Sequence, residues 1–170
     1  MSCNSILGIP KGCDDNNIGG IREIYIIDQE DVTSYVIDNT THTITGITTS
    51  GNYETFTFSR NVGNFTTEET RDLLVGSNVV KSTLTITLNR REGSKSRAIS
   101  ILGEGQRYLS IIVKAANGTY THFKDMQLMS SAEDSGTAKA DGSKYTLTFS
   151  NEEENYPYFV TPVIVPTLLA

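Results

Sequence analysis

The stretch Val79-Val-Lys-Ser-Thr-Leu-Thr-Ile-Thr-Leu-Asn-Arg-Arg91 decides the fold, because its side chains alternate in character over most of its length. One side of the extended chain is apolar and the other is polar: Val80, Leu84, Ile86 and Leu88 against Lys81, Thr83, Thr85 and Thr87. Ser82 is the break in the apolar side. This period-2 alternation predicts a β-strand with one buried face and one solvated face.

The pattern changes directly after this strand. The chain is polar from Arg91 to Arg97, and Ala98, Ile101 and Leu102 then recur at helical spacings. We therefore expect a short amphipathic helix over about residues 92–102, ended by the glycines that follow it. Residues 108–113 form a dense apolar run that is typical of a strand covered on both faces. The sequence thus predicts a mainly β fold, a β-sandwich or β-barrel with one short flanking α-helix.

The composition is that of one globular domain with an acidic balance. The chain has 170 residues, of which 37% are hydrophobic, and its formal net charge is −6. Binding of nucleic acid by counterion release needs a concentrated basic surface, and no basic cluster exceeds Arg90-Arg91. No apolar run approaches the roughly 20 residues of a membrane span, and residues 1–20 lack the apolar core of a signal peptide. We expect a soluble protein without a membrane partner, made in a cytoplasm.

Three segments are predicted along the chain. Residues 1–18 form a flexible N-terminal arm, residues 19–160 a single β-rich domain, and residues 161–170 a C-terminal extended tail. The prolines near the C-terminus limit a last strand to an edge position or an extended arm. Within the domain, residues 65–74 are rich in Thr and Glu, and they either continue a strand or form an irregular loop.

The arm contains both cysteines of the chain, Cys3 and Cys13. One interpretation is a disulfide between them, and another is a metal site completed by Asp14 or Asp15. Their spacing does not match a zinc pattern, and both histidines lie far away in the sequence. Two reduced thiols on a flexible arm are the favoured interpretation. We therefore predict no metal ligands.

Few residues in the sequence are candidates for a catalytic role. His42 and His122 are the only histidines that could act as a general base, and neither lies near a Gly-x-Ser-x-Gly motif. Gly103-Glu104-Gly105 follows the predicted helix instead of opening it, so it is not a phosphate-binding loop. A run of acidic residues at 152–154 is typical of a solvated turn. We predict no catalytic residue, no cofactor and no enzymatic activity.

A set of segments occurs in a characteristic order: Phe56-Thr-Phe-Ser-Arg60, Asn64-Phe-Thr-Thr-Glu-Glu69, the alternating strand, the short helix, Tyr108-Leu-Ser-Ile-Ile-Val-Lys114, Thr119-Tyr-Thr-His-Phe123 and Tyr145-Thr-Leu-Thr-Phe-Ser-Asn-Glu-Glu153. Over roughly residues 20–160, this order resembles the tail tube proteins of tailed bacteriophages, whose fold is similar to that of type VI secretion tube proteins. The resemblance implies rings of copies, commonly six, that stack into a hollow tube for DNA passage. It implies self-association, contacts with other phage tail or head–tail proteins, transient passage of DNA, and a location in the virion tail after assembly in the host bacterial cytoplasm.

Two sets of residues are candidates for such an assembly. Thr-rich strand faces with modest charge suit a lumen through which DNA moves, because a strongly positive channel would retain phosphates. The candidate lumen-facing residues are Thr55, Thr57, Thr83, Thr85 and Thr87. The candidate inter-ring contacts are Phe65, Glu68, Glu69, Leu73 and Leu74, within a polar loop at 61–78 that would stack together with the arm and with residues 157–170.

Other functions remain open at this stage. A ring, stopper or terminator protein at the head–tail junction has the same fold as a tube subunit, so the sequence does not separate them. A non-catalytic β-sandwich that binds carbohydrate is a further alternative. Such modules usually present exposed aromatic side chains, often Trp, and this chain has no Trp.

Overall fold

The computed structural model of the chain describes residues 6–9, 18–59 and 62–169. Its strands are β1 (Ile21–Asp28), β2 (Val32–Asp38), β3 (Thr43–Thr49), β4 (Glu54–Thr57), β5 (Gly63–Asp72), β6 (Ser77–Asn89), β7 (Leu109–Ala115), β8 (Tyr120–Asp134), β9 (Lys144–Glu153) and β10 (Tyr158–Val160). Its helices are α1 (Gly93–Gly103) and the single turn α2 (Val165–Leu168), with 3-10 turns at Gln29–Asp31 and Glu104–Gln106. Cys3 and Cys13 lie outside the described residues, and so do the predictions made for them.

Strand β8 belongs to two sheets at once. The first sheet has the order β2-β3-β10-β8-β7-β1-β4, and the second has the order β5-β6-β9-β8. The first half of β8 pairs with β7 and β10, and its second half pairs with β9. The sheets therefore fold around a shared strand into a curled half-barrel, which confirms the predicted fold class.

The bend in β8 is made at Asp125. Leu109 pairs with Met126 but Ile111 pairs with Phe123, so β8 has an extra residue relative to β7. Asp125 adopts a φ of 51° at this bulge. Asp is one of the few non-Gly residues that tolerate this left-handed conformation. The bulge increases the local twist and redirects the strand from one sheet to the other.

The main core lies between the two sheets. The alternating strand points its predicted apolar residues inward, since Leu84 and Ile86 are fully buried and Val80 and Leu88 are nearly so. Leu84, Ile86 and Leu88 belong to one cluster with residues of the first sheet and of the neighbouring strand β9, among them Ile24, Ile111, Phe123, Leu147 and Phe149. Ser82, the predicted break in this face, is also buried, and its Oγ lies 3.1 Å from Oγ1 of Thr67.

A second core covers the other face of the first sheet. Tyr25 and Ile112 on the sheet pack there against Tyr53, Val165 and Leu168. Of the run predicted at 108–113, Leu109 to Val113 are buried throughout, whereas Tyr108 is 53% exposed. Strand β7 is therefore covered on both faces, by the second sheet on one side and by the C-terminal segment on the other.

The C-terminal segment differs from the predicted extended tail over 161–170. Val165 and Leu168 of α2 are buried, and the Tyr53 N–H donates a hydrogen bond of 2.9 Å to the Leu168 carbonyl. The prediction of an edge position for the last strand is also wrong, because β10 lies between β3 and β8. Pro162 follows β10, so it removes no donor from the ladder.

Residues 65–74, for which the sequence allows a strand or an irregular loop within a polar segment at 61–78, form most of a hairpin. Strand β5 pairs with β6 from Gly63 opposite Ile86 to Asp72 opposite Ser77. Its side chains alternate, with Phe65, Thr67 and Glu69 half-buried and their neighbours exposed. The strand that precedes this hairpin, β4, is short and ends at Thr57.

The helix α1 lies within one residue of its predicted span of 92–102. Its buried residue is Ile99, and Ser96 Oγ lies 2.6 Å from the Tyr145 hydroxyl on β9. Lys95 Nζ donates to the Asn89 carbonyl at the end of β6, which fixes the turn into the helix. Among the residues described, no helix has the length and apolar character needed to cross a membrane.

His122 on β8 is buried in a polar network. Its Nε2 lies 2.7 Å from Ser110 Oγ, and Ser110 Oγ lies 2.8 Å from the Tyr53 hydroxyl. The ring of Tyr35 packs against the imidazole with 4.9 Å between centroids. Burial lowers the pKa of His122 to about 3, and the charge of Lys124 acts in the same direction. The imidazole is therefore neutral in the folded chain at neutral pH.

Acid should destabilise the fold through His122. The imidazole of His122 binds a proton near pH 6.5 in the unfolded chain and only near pH 3 in the folded chain. The free energy of unfolding therefore decreases as the pH falls from about 6.5 to about 3. His122→Gln should reduce the pH dependence of the free energy of unfolding by about 1.4 kcal/mol per pH unit there. Urea denaturation at a series of pH values measures this.

The matched control is Ser110→Ala, which removes the hydrogen bond of His122 but keeps its titration. This variant should be less stable at every pH and should retain the steep acid dependence. An acid dependence in His122→Gln as steep as in the wild type would contradict the buried, neutral imidazole.

Candidate assembly surfaces

The β5–β6 hairpin presents an apolar tip to solvent. Leu73, Leu74 and Val75 form its turn and are 92%, 97% and 75% exposed. Large apolar side chains that adjoin one another on a surface mark an interaction site more often than isolated ones do. The hairpin tip is therefore the leading candidate for a contact with another molecule.

The turn that carries this tip is held by its own hydrogen bonds. The Asp72 side chain accepts a hydrogen bond of 2.9 Å from the Leu74 N–H, and the Asp72 carbonyl accepts one of 2.8 Å from the Gly76 N–H. Gly76 adopts a φ of 71°, a conformation that glycine reaches without a steric penalty. The leucines are thus presented on a defined turn at the end of a ladder of ten residue pairs.

The predicted inter-ring residues are not all at this tip. Leu73 and Leu74 form it, whereas Phe65 packs against the core with its ring centroid 5.1 Å from that of Phe123. Glu68 projects from the outer face of the sheet opposite Lys81. Glu69 is half-buried, and a hydrogen bond from Arg71 lowers the pKa of its carboxyl.

Val75 belongs to the tip but was not among the predicted residues. The signal was present in the sequence as three consecutive apolar residues between Asp72 and Gly76. When the residues around such a run form the turn of a hairpin, its side chains lie too far from the core to be buried. The run therefore indicates an exposed apolar tip once the hairpin is recognised.

The outer face of the second sheet is a continuous array of hydroxyl side chains. Thr83, Thr85 and Thr87 project from β6, the strand between β5 and β9. Their partners in the two flanking strands are also mostly hydroxyl residues: Thr66, Thr146, Thr148 and Ser150. The face is therefore polar but carries no charge over these rows.

The other two predicted lumen residues are not part of this array. Thr55 and Thr57 lie on β4, which pairs with β1 in the first sheet. Thr55 lines the cleft between β4 and α1, and Thr57 approaches the end of β6 beside Leu88 and Asn89. The structure thus groups the threonines of β6 but separates them from those of β4.

Both sheets have edges without a strand partner in the described part of the chain. Strands β2, β4 and β5 each pair with a single neighbour, and residues 127–134 of β8 pair with β9 alone. The edge of β5 is the longest of these, with ten residues. Exposed edges present unpaired backbone N–H and C=O groups to which another chain can add a strand.

Comparisons with known proteins give structural likenesses only. No protein-family model and no curated protein sequence matches the chain. A chain in the cryo-EM structure of the anti-feeding prophage (AFP) baseplate aligns with a TM-score of 0.47 and 10% identity, over 92% of this chain and 99% of that chain. A chain in the virion of the native gene transfer agent (GTA) particle aligns with a TM-score of 0.36 and 11% identity, over 78% and 97%. At these scores neither likeness bears on what this chain does.

The effect of substitutions on stability should distinguish the exposed tip from Phe65, which packs against the core. Leu73→Ser combined with Leu74→Ser should change the free energy of unfolding of the isolated subunit by less than about 0.5 kcal/mol, because both side chains are exposed. Phe65→Ala should cost about 2 kcal/mol or more, approaching the value for a fully buried Phe. Denaturant unfolding at low protein concentration measures both, and equal losses would contradict the placement of Phe65 on the core.

Proposed function

We propose that this chain is a structural subunit that assembles with copies of itself into rings and stacks them into a hollow tube of the phage tail type. The exposed tip Leu73-Leu74-Val75 carries this proposal. Covering a leucine side chain contributes about 1.5–3 kcal/mol, so a neighbour that buries the tip gains substantial stability. Association costs several kcal/mol, which a subunit with several such contacts can offset.

The strand edges support lateral contacts in the same assembly. Strand β5 offers a ten-residue edge, and β2 and β4 offer shorter ones. Heterologous contacts close into rings when the rotation per subunit divides a full turn. A ring joined through strand edges also removes the aggregation hazard of exposed backbone groups. Rings of six, a place in the virion tail and assembly in the host cytoplasm belong to this proposal.

The hydroxyl face of the second sheet supports a lumen. Thr83, Thr85 and Thr87 present side chains that neither attract nor repel phosphates strongly. DNA passing such a surface meets no array of cations that would hold it. The lumen assignment is therefore restricted to β6 and its neighbours, and Thr55 and Thr57 are left out because they lie on another sheet.

The buried histidine supports a structural role over a catalytic one. Among the described residues, Ser110 and His122 form the pair that most resembles a nucleophile and its base, with 2.7 Å between Oγ and Nε2. Ser110 has no exposed surface and His122 is 4% exposed. The hydroxyl that would act as the nucleophile is therefore closed to a substrate, and the pair satisfies buried polar atoms instead. We therefore propose that the chain is not an enzyme.

Negative-stain imaging of the purified protein tests the proposal. The wild type should form rings or tubes of uniform diameter, and the Leu73→Ser/Leu74→Ser variant should lose the tubes while its fold is retained. Isolated rings in the wild type would indicate a junction ring in place of a tube. A wild type that stays monomeric and binds a glycan would refute self-assembly.

The lumen assignment has its own test. Thr85→Lys combined with Thr87→Lys should leave rings intact, because both side chains point away from the core. A phage that carries this variant should deliver DNA poorly, since added cations retain phosphates. Thr45→Lys combined with Thr48→Lys, at exposed positions of β3, is the matched control. Normal infectivity of the double variant would place β6 outside the lumen.

A further inference from the structure

The end of the second sheet that carries the hairpin tip is acidic. Seven carboxylates and three basic side chains lie at this end, which leaves a net charge of −4. The carboxylates are Glu68, Glu69, Asp72, Asp125, Glu152, Glu153 and Glu154, and the basic residues are Arg71, Lys81 and Lys124. Their position follows from the register, in which Lys81 pairs with Glu68 on one side and Glu152 on the other. We call this set the acidic end.

Crowding of carboxylates at the acidic end is visible at Glu153. Burial raises the pKa of this group, and the neighbouring Asp125 raises it further. Asp125 and Glu153 line the same cleft, together with Lys81 and Glu152. Cations brought to this end from another molecule would relieve the repulsion.

The opposite end of the same sheet is basic. Six basic side chains and four carboxylates lie there, which leaves a net charge of +2. The basic residues are Arg90, Arg91, Lys95, Arg97, Lys139 and Lys144, and the carboxylates are Glu92, Glu133, Asp134 and Asp141. The register places them together, because Asn89 at the end of β6 pairs with Lys144 at the start of β9. We call this set the basic end.

The two ends are far enough apart to act separately. Asn89 follows Lys81 by eight positions along β6, a span of about 26 Å for an extended strand. The Debye length at physiological salt is about 8 Å. Each end therefore presents its own field to a neighbouring molecule, although the chain as a whole is acidic.

We infer that successive copies of this chain stack head to tail, with the acidic end of one copy placed on the basic end of the next. This inference rests on the proposed function, and it names the two surfaces that meet when rings stack. Opposite charges attract in this arrangement, whereas a two-fold contact would place acidic end against acidic end. The stack is therefore polar and grows by one repeated contact.

The apolar tip fits this contact as well. Leu73 and Leu74 project from the acidic end, so they reach the basic end of the next copy. The alkyl stems of Arg and Lys cover apolar surface while their charged groups remain in water. Lys144 is exposed at the basic end, and the side chain of Arg90 is 82% exposed. The stems at the basic end can cover the leucines while their charges meet the carboxylates.

Charge reversal at each end, followed by mixing, tests the inference. Glu68→Lys/Glu152→Lys/Glu154→Lys changes the net charge of the acidic end from −4 to +2, and Lys139→Glu/Lys144→Glu changes that of the basic end from +2 to −2. All five side chains are exposed. Each variant alone should lose assembly by about tenfold or more in a sedimentation assay, because its ends repel. An equimolar mixture should assemble again, since the reversed ends complement each other.

Glu30→Lys/Glu54→Lys/Glu104→Lys is the control for the acidic-end variant, because it changes the net charge by the same amount, +6, at exposed positions that belong to neither end. It should assemble like the wild type. Normal assembly of the two end variants, or failure of their mixture to recover, would overturn the inference and leave the proposed function standing. A wild type that does not assemble under any condition would refute both the inference and the proposed function.

Discussion

The fold depends on one strand that two sheets share. Strand β8 contributes its first half to the sheet with β7 and its second half to the sheet with β9. The bulge at Asp125 permits this, because it turns the strand without breaking it. The main core forms against residues that this strand holds in place, such as Phe123 and Met126, and Tyr120 at its start packs against the second core. If β8 were straight, the second sheet would have no apolar surface to close on.

The same topology sets the positions of the assembly surfaces. Because β6 is paired on both sides, its two ends lie at fixed opposite positions: the turn with Leu73 at one and the connection to α1 at the other. The acidic residues 68–72 precede the strand and the basic residues 90–97 follow it. A single antiparallel hairpin thus converts an order of charges along the chain into a separation of charges in space.

The sequence predicted those elements whose pattern is local. The alternation at Leu84 and Ile86 identified β6, and the helical spacing up to Leu102 identified α1. The sequence of β5 shows no apolar period, because Phe65 is its one large apolar residue, and it therefore does not distinguish a strand from a loop. The parallel pairing of Phe159 with Thr43 joins residues more than one hundred positions apart, which no local pattern encodes. For the same reason the sequence grouped Thr55 with Thr85, although their strands lie in different sheets.

The lateral contacts within a ring and the axial contacts between stacked rings of the proposed assembly depend on different interactions. Pairing at the edge of β5 uses backbone hydrogen bonds, which are the same for every side chain and are little affected by salt. Contact between the two charged ends uses side-chain charges, which salt screens, together with the leucine tip, which salt does not weaken. The neutral threonine face between the ends contributes to neither contact. A surface arranged in this way can therefore hold a ring firmly while the strength of stacking is set by a few exposed residues at its ends.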